Sequence, residues 1–147
     1  MFQISRIPSS QKVLPIAQIV TGIGILIFWG LFFTVGMAPA VPAVCYFAYE
    51  HAFPPPDLIL AAALIASGFD LLRGGDWGMS VSLACAGGLM FLGVLDFSFS
   101  AQNGGFAGPL GEALQAGVIS LWCVGLGLAI IILRGVQTRS GQGAMTP

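Results

Sequence analysis

The sequence predicts an all-α integral membrane protein built as a four-transmembrane-helix bundle, with a short interfacial helix in the first outer loop. Three observations carry that prediction. Hydrophobic residues make up 56% of the chain and charged residues 7%, against roughly a quarter charged in ordinary soluble domains. The apolar residues fall into long stretches separated by short Pro- and Gly-rich joints. All five Lys and Arg residues lie in alternate joints. The 147 residues, with a mean hydropathy of +0.93, make one membrane domain.

The first span is expected over 13–36. At about 1.5 Å per residue this run exceeds the roughly 30 Å hydrocarbon core. Arg6 and Lys12 before it and Ala38-Pro39-Ala40 after it imitate a secretory signal. The run is far longer than the apolar core of about 7 to 15 residues that such a signal has, so a retained signal anchor is expected. Residues 37–57 contain five prolines and cannot hold one continuous helix. Between the prolines, 41–53 predicts a short helix carrying Tyr46, Tyr49, Glu50 and His51. Its tyrosines suit a membrane–water boundary, where the ring buries and the hydroxyl stays wet.

The second span is expected over 55–73, opened by prolines and Asp57, which suit a helix N-terminus. Arg73-Gly74-Gly75-Asp76-Trp77-Gly78 reads as a tight turn. Asp70 and Arg73, three residues apart, read as a local ion pair. The third span, 79–99, carries Ser80, Ala84 and Gly88 as a small-residue stripe. A loop follows to Gly111, with Glu112 at the entry of the fourth span, 113–133. The Gly-rich segment 136–147 predicts a disordered tail. No internal repeat stands out between the two helix pairs, so an inverted-repeat transporter lacks sequence support.

Arg6, Lys12, Arg73, Arg134 and Arg139 mark one side, and the other side has no cation. Cations in short loops are retained in the cytoplasm, which places both termini inside and the protein in a cell membrane, expected to be a bacterial inner membrane. The formal net charge of -1 and the lack of a basic block exclude a nucleic-acid partner. The lipid bilayer is the expected surrounding, with a larger membrane-protein partner or a homo-oligomer as further expectations.

Four of the six acidic residues, Glu50, Asp57, Asp96 and Glu112, fall on the outer side. Loss of Lys and Arg from outer loops, together with helix N-terminal preferences, accounts for Asp57 and Glu112. It accounts poorly for Asp96, which lies among Phe and Leu about a turn inside the third span. A carboxylate at membrane depth usually faces protein or a wet cavity. Tyr49, Glu50, His51, Asp57, Asp96 and Asn103 are therefore the candidate residues of an outer pocket. Trp29, Phe69, Phe91 and Trp122 read mainly as packing aromatics.

No cofactor is expected. His51 is the lone histidine, so one chain cannot supply two haem ligands, and the acidic residues lack metal-ligand spacing. Cys45, Cys85 and Cys123 are spaced for neither a disulfide scaffold nor a redox motif. No nucleophile, zinc-protease or phosphate-loop motif is present. The leading expectation is a non-catalytic accessory subunit, or a binding module with an outer-leaflet pocket for a partner or lipophilic ligand. The alternative is a small enzyme acting on a lipid or isoprenoid-like substrate, with Glu50, His51 and Asp96 as acid–base groups. Ion- or proton-coupled transport ranks third, because the middle of the spans has almost no ionisable group.

Overall fold

Residues 9–36, 38–39 and 42–142 are described by the computed structural model, with side chains from 12 to 133 within that set. The described residues form five helices: α1 (Ser9–Val35), α2 (Tyr46–Glu50), α3 (Pro54–Arg73), α4 (Gly78–Gln102) and α5 (Leu110–Gln142). Four of them, all except α2, are long and apolar enough to cross a membrane.

Local chemistry sets the helix ends. Pro54, Pro55 and Pro56 fill the first turn of α3, where their missing N–H groups would have had no partner in any case. The same prolines shorten the helix before them. The expected 41–53 helix is formed only over Tyr46–Glu50, and residue 41 lies outside the described residues. After Glu50, Ala52 and Phe53 bond three residues back and tighten the chain into a turn. The α3 helix ends on Gly74, whose φ of 74° is the left-handed conformation a helix C-terminus favours in glycine.

Two expectations need correction. Asp70 does not pair with Arg73. Its Oδ2 instead accepts the Gly78 N–H at 2.7 Å, which caps the first turn of α4, while the Arg73 guanidinium lies 6.0 Å from the Phe69 ring centre. An N-terminal amide offers an Asp a fixed donor, whereas an exposed ion pair must order two long side chains. The tail is also helical further than its composition suggests, because α5 continues to Gln142. Extending an existing helix needs no new nucleus. The rest of the expected tail, 143–147, lies outside the described residues.

Packing follows four glycines. A Cβ on Gly22 would lie 2.8 Å from the Ala61 carbonyl oxygen, and one on Gly68 would lie 2.8 Å from that of Pro15. The partners step in opposite directions, about two turns apart on each helix (15 to 22, 61 to 68), so α1 and α3 are antiparallel. The α4/α5 pair repeats the arrangement: Gly93 sits against the Ser120 oxygen and Gly127 against that of Ala86, each 2.7 Å from the added carbon. The flanking side chains correspond as well, with Ile65 and Ile19 in the first pair and Val124 and Met90 in the second. Two helix pairs of like geometry therefore make up the chain. The likeness lies in a short pattern shared by all four helices, a small or proline residue followed four positions on by an apolar one and seven on by glycine (15/19/22, 61/65/68, 86/90/93, 120/124/127). The letters around it differ.

Antiparallel α3/α4 contact joins the pairs, through Gly78 against Ser67 and Gly88 against Leu60. The core between them holds Leu14, Leu64, Cys85, Ala86, Leu89, Leu126 and Ile130. Two polar contacts cross between helices here: Ser82 donates to the Gln18 Oε1 at 3.1 Å, while the Gln18 Nε2 is buried without a partner among the described residues, and the Trp122 indole N–H donates to the Thr21 hydroxyl at 2.9 Å. Because 15 pairs with 68, Lys12 and Arg73 share one end of the molecule, and α2 lies at the other.

Candidate functional site

At the α2 end, two carboxylates are each held by one neutral aromatic donor, and a third has a tyrosine beside it. The Trp29 indole N–H donates to the Asp57 Oδ2 at 2.9 Å, tying the C-terminal part of α1 to the first turn of α3. The Tyr49 hydroxyl donates to the Asp96 Oδ1 at 3.1 Å, tying α2 to α4. The Tyr46 hydroxyl lies toward Glu50 one turn along α2 and favours its carboxylate.

Ring contacts fix these donors. Tyr49 stacks on Phe99 with centroids 3.8 Å apart and planes 5° apart, and Phe53 closes its other side at 4.7 Å. Trp29 is 4% exposed and packs edge-on to Phe28 and Phe32. The other Asp57 oxygen, Oδ1, is enclosed without a hydrogen-bond partner among the described residues.

Among the residues with described side chains no Lys or Arg lies at this end, and the acids act on one another. Burial first, then the negative charges of Asp96 and Asp57, push the Glu50 carboxyl up to about 7, against the opposing effect of the Tyr46 hydroxyl. Burial and the neighbouring carboxylates, Glu50 for Tyr46 and Asp96 for Tyr49, push both phenols up as well. The tyrosines therefore remain protonated donors at any physiological pH.

The raised Glu50 value has a direct consequence for stability. A carboxyl near 7 in the folded chain and near 4.5 unfolded stabilises the fold below about pH 4.5, and that contribution is lost as pH rises through 7. Melting of the purified protein at pH 5 and pH 8 should therefore favour the lower pH. Glu50→Gln should narrow the difference, and an unchanged gap would count against this account.

The six residues singled out in the sequence separate into two groups. Tyr49, Glu50, Asp57 and Asp96 gather in one electrostatically linked cluster. His51 leaves that cluster. Its Nδ1 lies 2.6 Å from the Phe47 carbonyl oxygen, and its ring sits among Phe32, Phe33 and Phe47. Neighbouring residues on a helix point about 100° apart, so Glu50 and His51 face different partners. Asn103 also turns elsewhere, its amide N–H donating to the Phe99 carbonyl at 2.9 Å and its oxygen lying 3.7 Å from the Cys45 sulfur.

Sequence reasoning did not assign Trp29 or Tyr46 to the site. A Trp near the C-terminal end of α1 was the available signal, and nothing local linked it to an acid 28 residues away. Among the described residues, no group of three or more His, Cys, Asp or Glu could hold a metal ion. No protein-family model, curated protein or solved structure matches this chain.

Proposed function

We propose that this chain is a small multi-pass protein of a bacterial cell membrane, a four-helix bundle with both termini cytoplasmic, that serves as a non-catalytic binding subunit. Its α2 end faces outward, with α2 lying in the interface, and takes a lipophilic ligand or a membrane partner. The observation that carries this reading is the pair of carboxylates, Asp57 and Asp96, bonded by Trp29 and Tyr49. Acids held by rigid aromatic donors from separate elements are pre-organised for recognition, at little ordering cost on binding. The four apolar helices and the one-sided placement of cations support the orientation.

Native mass spectrometry of protein extracted in mild detergent tests the binding role. Wild type should carry a defined lipid or partner that Asp96→Asn and Tyr49→Phe lose while keeping their helical signal. Identical complements in all three would refute the proposal. For orientation, a membrane-impermeant thiol reagent applied from outside should label Cys45, which is exposed, and spare Cys85 and Cys123. Reporter fusions after Gly75 and after Arg139 should both read as cytoplasmic, and an external reading from either would overturn the topology.

One observation favours a second reading, an enzyme acting on a lipid or isoprenoid-like substrate. A Glu50 carboxyl near 7 is matched to proton transfer at neutral pH. On that reading Glu50→Gln abolishes turnover without releasing the ligand.

A further inference from the structure

Between the outer end of α1 and α2 lies a cavity of about 210 Å³, lined by Phe32, Phe33, Gly36, Ala38, Phe47 and His51. Phe32 is 7% exposed, whereas the Phe33, Phe47 and His51 rings are exposed. The rings meet at steep angles: His51 lies at 73° to Phe32 and 71° to Phe33, with centroids 6.0 Å apart in both cases, and Phe32 lies at 88° to Phe33. The imidazole is oriented by its own backbone. A carbonyl oxygen can only accept, so the Nδ1 that lies 2.6 Å from the Phe47 oxygen carries the proton, and in the neutral ring Nε2 keeps its lone pair.

Three phenylalanine rings and an acceptor nitrogen in the lining favour a positive guest. The surroundings agree: the Glu50 carboxyl neighbours the cavity wall in sequence, and the described cations Lys12 and Arg73 belong to the opposite end. A primary ammonium would bring three N–H donors to walls that offer few acceptors. A trimethylammonium brings none and spreads its charge over methyl groups that pack on rings. The apolar span of α1 ends at Val35, which sets the cavity at the depth where a lipid tail gives way to its headgroup.

We infer that the Phe32–Phe33–Phe47–His51 cavity binds the quaternary ammonium head of an outer-leaflet lipid. The inference rests on the binding-subunit reading above and names its ligand class. It adds residues that the acid cluster does not use.

The chain has one histidine, so isotope-labelled histidine gives a single NMR reporter in the cavity wall. The protein, purified without a histidine tag, is placed in nanodiscs of glycerol-headed lipid. It is then titrated with choline and with 3,3-dimethyl-1-butanol, the neutral carbon isostere. Choline should shift the His51 signal saturably and the isostere should not. An equal response to both, or no saturable shift, would overturn the site.

Phe33→Leu keeps apolar bulk without the ring and should weaken choline about fivefold. Phe47→Ala should do the same from the α2 wall, and unchanged affinity in both would count against the cage. In nanodiscs of phosphocholine-headed lipid, free choline should need several-fold higher concentration because the lipid head already competes. No such competition would remove the lipid as the source. Failure here, with a lipid still retained through Asp96 in mass spectrometry, would discard the ligand class and leave the binding-subunit reading standing.

Discussion

Gly22→Ala, Gly68→Ala, Gly93→Ala and Gly127→Ala are each expected to destabilise the folded chain by about 1–3 kcal/mol, the usual cost of overpacking a tight contact. In every case the added carbon would come within 2.8 Å of a backbone carbonyl oxygen and closer still, or nearly so, to a side chain of the facing helix. A side chain can rotate away, but a helix carbonyl moves only if the helix moves. The helices would have to separate, losing close van der Waals packing, which is the main force that associates helices in lipid.

Gly24, Gly87 and Gly125 are the controls. An added carbon there meets nothing within 4 Å, and the substitution should be neutral or stabilise by up to about 1 kcal/mol through helix propensity. Denaturant unfolding in detergent micelles reads both sets. If the four contact glycines cost no more than the controls, the paired-hairpin packing is wrong. Because the contacts repeat across α1/α3 and α4/α5, Gly22→Ala and Gly93→Ala should have similar costs. Joined in one chain they should add, since each acts within its own pair.

The second large effect is expected at Trp29. In Trp29→Phe the Asp57 carboxylate loses its one hydrogen bond while its other oxygen is already enclosed without a partner. An unsatisfied buried polar group costs about 1–3 kcal/mol and a charged one more, and the smaller ring also leaves a void beside Phe28 and Phe32. A loss of about 3 kcal/mol or more is the expected result. Adding Asp57→Asn should recover part of it, because the amide carries no charge to strand. Trp122→Phe is the comparison. That indole bonds a neutral hydroxyl and is 53% exposed, so about 1 kcal/mol is expected. Equal losses at the two tryptophans would show that indole volume, not the stranded carboxylate, sets the cost.

The candidate site was legible in part. Asp96 was conspicuous because an acid inside an apolar run has no local excuse, and the structure turns it toward Tyr49, in the segment after the first span. Glu50 and Asp57 were visible as acids in a joint free of cations. The direction of His51 was not visible, because α2 is only five residues long and its short span decides which side meets Phe32 and Phe33 and which meets the acids. The partners of Asp57 and Gln18 were equally hidden, lying 28 and 64 residues away.

By itself the sequence determined the four long apolar helices and the ends of α3, but not where α5 stops. Hydropathy, the proline run at 54–56 and the glycine at 74 act within a few residues, through burial of apolar length and through backbone dihedrals, so no distant contact is needed to read them. Only the tertiary structure decided which glycines are contacts, which aromatic ring serves which carboxylate, and that two hairpins share one geometry. Each of these depends on how closely and at what offset two helices approach, and that distance is set by the summed shapes of facing side chains rather than by the letters of either helix.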